Sequence, residues 1–176
     1  MRDVLFDPGS PASGAARPDV TMVVFTDYQC GICKRTDGAI YRRLAEDGRL
    51  RVIWKDWPIR GPLSEHAARV ALAAARQGRY DEIHAALMAA RGTLTPERVD
   101  AIAVEAGCDP ARLAEDLADP ASGIDAQIGR HQLQAFGLGL QGTPAYLVGP
   151  YLIQGGLDDD ALRRAVDRAR RAGPPR

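Results

Sequence analysis

A chain of 176 residues, 45% hydrophobic and 26% charged, can bury one full core, which excludes a disordered segment or a fibre. Its 23 lysines and arginines balance 23 aspartates and glutamates, so no basic surface announces nucleic acid or an anionic membrane. A small-molecule or protein substrate is expected instead. The apolar runs, such as Val70 to Ala75, fall far short of the about 20 residues that cross a bilayer, so no membrane span is predicted. Met1-Arg2-Asp3 opens without a basic start and apolar stretch, so any secretory signal is absent from this sequence.

Val4-Leu5-Phe6 reads as a short strand, and the proline- and glycine-rich Asp7 to Asp19 as an extended arm. Val20 to Phe25 is β-branched and almost continuously apolar, as a strand buried on both faces requires. After Cys30 the buried-type positions Cys33, Asp37, Ile40 and Leu44 recur with helical spacing, and Gly48 is the expected cap. Leu50 to Trp54 is a second strand, and one intervening helix makes the pair a parallel βαβ unit. From Ser64 to Phe136 the pattern is helical, with breaks at Gly78, Gly92 to Pro96, Gly107 to Pro110 and near Pro120, giving four or five short helices. Thr95-Pro96 and Asp109-Pro110 each place a capping oxygen before a proline, a helix-start signature.

Strand character returns at Ala145 to Val148 and Tyr151 to Ile153 around Gly149-Pro150, a hairpin. A last helix is expected from Asp158 to Arg171, with Leu162, Ala165, Val166 and Ala169 inward and Arg163, Arg164, Arg168, Arg170 and Arg171 on its wet face. Gly173 to Arg176 reads as a frayed tail. The order βαβ, helical block, ββα predicts an α/β chain with a thioredoxin fold and an inserted all-helical domain. Residues 1–19 would form the arm, 20–62 and 138–172 the thioredoxin-like domain, and 63–137 the insertion.

Tyr28-Gln29-Cys30-Gly31-Ile32-Cys33-Lys34 holds two of the three cysteines, at the mouth of the first long helix. Unpaired amides and the positive end of the helix dipole favour a thiolate at Cys30, the attacking group. Cys33 lies one turn further in on the apolar stripe and would resolve the mixed disulfide. Lowering a thiol pKa from about 8.5 to about 3.5 stabilises the thiolate by roughly 7 kcal/mol, comparable to the ~150 mV that separates reducing from oxidising members of this fold. The surroundings of Cys30 therefore largely set the direction of exchange. A zinc site needs more ligands than this pair supplies, and core filling by two small thiols is the bland reading. His66, His84 and His131 read as partly exposed helix residues and Cys108 as a lone structural thiol.

FTDYQCGICKR, WKDWPI and QGTPAYLVG, in this order from Phe25 to Gly149, resemble the DsbA-like thiol-disulfide oxidoreductases of bacterial envelopes, and the likeness runs from about Asp7 to Ala169. The resemblance implies a cis bond at Thr143-Pro144, packed against Cys30 and Cys33, with Thr143, Pro144, Gly31 and Ile32 contacting substrate. It also implies dithiol oxidation of protein thiols in the periplasm or outside the cell, with a redox partner that resets the cysteine pair. No cofactor is expected, because the sulfurs carry the electrons. The alternatives are a disulfide isomerase or reductase, and a thiol or copper carrier without turnover.

Many thioredoxin-like proteins carry a buried acid in the strand before the first cysteine, where this chain has Val24. Proton transfer at Cys33 then needs another group. Asp27, Lys55 and Asp56, at the ends of the two strands, are candidates, although solvated loop charges are the simpler expectation. Of Trp54 and Trp57, one is expected in the core and one at a substrate surface, and Tyr28 could shield the approach to Cys30.

Overall fold

The computed structural model describes residues 2–173, so most of the expected carboxyl-terminal tail lies outside the described residues. Helix α1 (Arg2–Leu5) and strand β1 (Ala12–Gly14) precede β2 (Val20–Thr26), α2 (Gly31–Glu46) and β3 (Leu50–Asp56). Helices α3 (Pro62–Arg76), α4 (Tyr80–Ala89), α5 (Pro96–Glu105), α6 (Pro110–Ala118) and α7 (Ile124–Gly137) follow, with a 3-10 turn at Pro120–Ser122. The chain closes with β4 (Ala145–Val148), β5 (Tyr151–Gln154) and α8 (Asp159–Ala172).

The sheet order is β1-β3-β2-β4-β5, with β2 and β3 parallel and the other neighbours antiparallel. Alternation of side chains along each strand divides the core into two faces. Val20, Met22, Val24, Val52, Trp54, Tyr146 and Val148 pack on the face that holds Cys30, Cys33 and Ile40 of α2. Val23, Phe25, Ile53 and Leu147 face the other way, toward Val4 of α1 and Ala135 of α7. Helix α3 buries Ala67, Ala68, Ala71, Ala73 and Ala74, side chains small enough for α4, α5, α6 and α7 to gather around it. The Thr95 and Asp109 caps form as expected, Thr95 accepting from the Arg98 amide and Asp109 from those of Ala111 and Arg112.

Three local expectations fail for identifiable reasons. Val4-Leu5-Phe6 is not a strand, because α1 docks Val4 into the core while Phe6 stays 74% exposed. The edge beside β3 belongs instead to Ala12–Gly14 in the arm, where Trp54 N donates to Pro11 O at 2.9 Å and Ala15 N to Leu50 O at 2.8 Å. Gly14 makes that approach feasible: its φ is +92°, and a Cβ there would lie 2.5 Å from the Leu50 carbonyl oxygen. At the end of α2 the cap is Asp47 rather than Gly48. Its own amide donates to the Arg43 carbonyl at 3.0 Å to close the last turn, while its carboxylate takes hydrogen bonds from Arg43, the Arg49 amide and Arg170. Arg170 also pairs with Asp19 and is only partly exposed, so it leaves the wet face of α8, whereas Arg168 stays exposed there with its guanidinium 4.0 Å over the Tyr151 ring.

Candidate functional site

Strand β2 delivers the chain to Asp27, whose carboxylate accepts from the amides of Gln29 (2.7 Å), Ile59 (2.8 Å) and Arg60 (3.1 Å) and from the Ser64 hydroxyl. That staple folds the loop after β3 over the end of β2 and buries Asp27 to 1% exposure. The Asp27 carbonyl then accepts from Cys30 N at 3.0 Å, which sets the turn into α2. Cys30 is the N-cap, with extended φ −80° and ψ 111°, and its Sγ accepts from Cys33 N at 3.3 Å. Sulfur thus occupies the place that a serine or aspartate oxygen takes at an ordinary helix start.

Both thiols are free and closed to solvent, Cys30 just under the surface and Cys33 deeper. Burial alone would raise the Cys30 pKa, but hydrogen bonds from the Cys33 thiol and amide outweigh it and bring the pKa down. Burial, and donation to Cys30, push Cys33 up to about 12. The two sulfurs are therefore driven in opposite directions by one contact.

The opposite wall is the Thr143-Pro144 peptide bond, which is cis. Cys30 Sγ lies 3.4 Å from the Thr143 carbonyl oxygen across 113 residues of sequence, and the thiol form donates to it. The Thr143 hydroxyl is buried without a fully formed hydrogen bond and favours both thiolates. Between the cysteines, a Cβ on Gly31 would meet only Arg35 at 3.6 Å, and Ile32 is 41% exposed, so both form an open rim. Gly156, in the loop before α8, abuts this rim: a Cβ there would sit 2.8 Å from Ile32 Cγ2 and 3.2 Å from Thr36 Cγ2.

None of the three proton-transfer candidates is a solvated charge. Lys55 is fully buried on the sheet face away from the cysteines, where its ammonium meets Asp7 (3.1 Å) and Ser10 (2.8 Å). Asp27 is saturated by the four donors already named. Asp56 is 1% exposed and on the cysteine face, where its two oxygens accept from the Tyr80 hydroxyl at 3.1 Å each. Burial raises its pKa to about 6.

Two histidines expected at the surface are also fully buried. His84 of α4 bonds Asp37 of α2 through Nε2 (3.0 Å) and Tyr28 through Nδ1 (2.9 Å). His131 of α7 has Nδ1 3.0 Å from the Asp56 carbonyl and Nε2 3.0 Å from the Ser10 hydroxyl. Only His66 is partly exposed, beside Asp100 at 3.0 Å. Neither tryptophan lines a surface, since Trp54 packs on the cysteine face and Trp57 on the other. Tyr28, 1% exposed, lies beneath the site rather than over it. Asp37, Tyr80 and His84 were not legible as a group. An acid on the stripe of Cys33 and Ile40 was the one available signal. Cys108 is buried, and burial pushes its thiol up, as a structural cysteine requires. Among the described residues, no three histidine, cysteine or acidic side chains gather as a metal site would need.

A cysteine pair at a helix mouth, faced by a cis-proline loop on a sheet of this order, defines a thioredoxin-type dithiol site. The family model of the DSBA-like thioredoxin domain matches residues 21–167, and the chain belongs to that family. A thioredoxin-like oxidoreductase from Silicibacter pomeroyi superposes with a TM-score of 0.91 at 38% identity, covering 97% of this chain and 98% of that one. The thiol-disulfide exchange protein alpha-DsbA2 from Wolbachia pipientis gives 0.89 at 32% identity, over 95% and 90%. A periplasmic thioredoxin-like protein from Salmonella enterica serovar Typhimurium gives 0.86 at 33%, over 97% and 95%. Curated relatives are named Na(+)/H(+) antiporter NhaA; one from Salinispora arenicola is 29% identical over 89% of this chain and 24% of its own length. The chain spans about a quarter of the length of these relatives.

Proposed function

We propose that the chain oxidises pairs of cysteines in protein substrates, with Cys30 as the sulfur that substrates engage and Cys33 as the resolving thiol. The observation that carries this reading is the place of Cys30 Sγ at the mouth of α2, accepting from Cys33 N at 3.3 Å and facing the cis Thr143-Pro144 bond at 3.4 Å, and the two thiols are displaced in opposite directions to match, Cys30 down and Cys33 up. A stabilised Cys30 thiolate lowers the free energy of the reduced pair and makes its disulfide the more oxidising. A substrate thiolate attacks Cys30 of the disulfide, Cys33 leaves and takes up a proton, and a second substrate thiolate then displaces Cys30. Thr143 and Pro144 would hold an extended substrate segment beside Cys30 by main-chain pairing, and Gly31 and Ile32 would touch its side chains. No further cofactor enters, since the electron pair ends on the two sulfurs.

A periplasmic or extracellular setting and a partner that reoxidises the pair complete the proposal, supported by the periplasmic Salmonella relative. The ion transport named for the longer relatives we place in the remainder of those proteins, since no helix among the described residues is long and apolar enough to cross a membrane. Redox titration of Cys30-Cys33 against glutathione tests the direction, and an oxidising potential is expected. A strongly reducing potential would assign the pair to a reductase or isomerase, and metal retained on purification to a carrier. Cys30→Ser should abolish dithiol-dependent turnover; full activity in that variant would overturn the mechanism.

A further inference from the structure

Exchange in either direction requires Cys33 to trade a proton. When the mixed disulfide collapses, Cys33 Sγ bonds to Cys30 Sγ and the bond from Cys30 to the substrate sulfur breaks. Its electron pair leaves on the substrate, and the Cys33 proton must go elsewhere. Position 24 beneath the site is an apolar valine, 2% exposed, so the strand supplies no acceptor. Asp27 is held by four donors and Lys55 lies across the sheet.

One continuous buried chain of titratable groups ends one helical turn from Cys33. Asp37 follows Cys33 by one helical turn on the same buried stripe of α2, the spacing that makes side chains neighbours. From there Asp37 Oδ1 bonds His84 Nε2 at 3.0 Å, and His84 Nδ1 bonds the Tyr28 hydroxyl at 2.9 Å. Tyr28 donates to Tyr80 at 3.4 Å, and Tyr80 to the Asp56 carboxylate at 3.1 Å. Trp54, Tyr41 and Tyr80 pack against the imidazole, which keeps bulk water away.

Resting on the exchange reading above, we propose that the Asp37–His84–Tyr28–Tyr80–Asp56 chain stores the proton that Cys33 gives up and takes back. His84 and Asp56 act through Cys33 and do not touch the reacting sulfurs, so they are positioning residues for proton exchange. The groups facing the chain are Lys34, Asp37 and Tyr41 from α2, Asp27 and Tyr28 from the turn before it, and Tyr80, Asp81 and His84 from α4. At the far end Asp56 accepts from the Tyr80 phenol in a fully buried setting, which favours its protonated form. Its pKa near 6 lies within the range where a buried base can both accept and return a proton.

The test is single-turnover release of glutathione from a Cys30–glutathione mixed disulfide, followed across acid and neutral pH in the full chain, Asp56→Asn and His84→Gln. Ultraviolet titration of the Cys30 thiolate runs in parallel. In the unsubstituted chain the release rate should climb to a break near pH 6, where Asp56 ionises and can accept the proton. Each variant should release about tenfold more slowly or worse at neutral pH and lose that break, with the Cys30 titration unchanged. Wild-type rates and a retained break in both variants would overturn the proposal; a merely structural role lowers the unfolding midpoint and leaves the break in place. A chain that forms no mixed disulfide at Cys30 overturns the exchange reading itself.

Discussion

Strand β3 separates two buried charge clusters that were built by opposite means. On one side Lys55 meets Asp7 at 3.1 Å, with Ser10, Gln127 and His131 completing the set. There the ammonium and amide donors overcome burial and hold the Asp7 carboxyl down at about 2, while burial and the nearby Lys55 hold His131 down at about 4. On the other side Asp56 has phenols and an imidazole for company, and burial lifts it to about 6. Asp56 belongs to both clusters, since its main-chain carbonyl takes the His131 Nδ1 proton while its carboxylate faces Tyr80. A buried carboxylate beside a cation is locked in one charge state; beside neutral donors it remains free to change.

The largest effect should come from breaking the locked side. Lys55→Met leaves the Asp7 carboxylate buried without its ammonium, and a loss of about 3–5 kcal/mol in denaturant unfolding is expected. Any folded fraction of that variant should keep its thiol exchange, because Lys55 lies away from the cysteines. On the open side the sign reverses. Asp56→Asn removes a carboxylate that folding makes harder to ionise, so at neutral pH the variant should be more stable by up to about 3 kcal/mol. The same variant should release mixed disulfides slowly, which separates its stability from its exchange chemistry.

Acid titration of stability sharpens the contrast further. His131 and Asp7 have depressed folded pKa values, so their contribution is present at neutral pH. It is lost first as pH falls from 6.5 toward 4 for His131, then from 3.8 toward 2 for Asp7. Asp56 has a raised folded pKa, so its cost is absent below 3.8 and fully felt only above about 6, which opposes the His131 slope. Unfolding midpoints measured across this range should therefore fall more steeply on acidification in Asp56→Asn than in the unsubstituted chain. The smallest effect belongs to an exposed pair: Arg42→Ala, removing the 2.7 Å contact with Asp159, should leave the unfolding midpoint unchanged within the error of the measurement.

Much of the frame could be read from local pattern. Strands β2 and β3, the cysteines at the mouth of α2, the breaks at Gly78 and Gly107, and the Thr95 and Asp109 caps all follow from side chains close in sequence. The pairing of Cys30 with Thr143 was accessible only through family likeness, because 113 residues of chain separate them. Asp37 and His84, 47 residues apart, carry no comparable mark, and strand-end charges such as Asp27 ordinarily point into water. Asp27 is buried by the loop after β3 closing over it, and Asp37 and His84 by α4 packing against α2, long-range events that composition and periodicity do not encode. Gly48 misled for the opposite reason, since a glycine after the last periodic residue reads as a cap, whereas the helix ends one residue earlier at Asp47, held by ion pairs to Arg43 and Arg170.

The close approach of Gly156 to Ile32 has a consequence for anyone exchanging the middle of the cysteine motif. A side chain at 156 would press on Ile32, so what stands at 32 and what stands at 156 share one space. Libraries that vary the dipeptide alone will therefore sample redox tuning and loop displacement together. Randomising 32 and 156 as a pair would let the two be told apart, and would show whether the loop, as much as the dipeptide, selects what reaches the sulfurs.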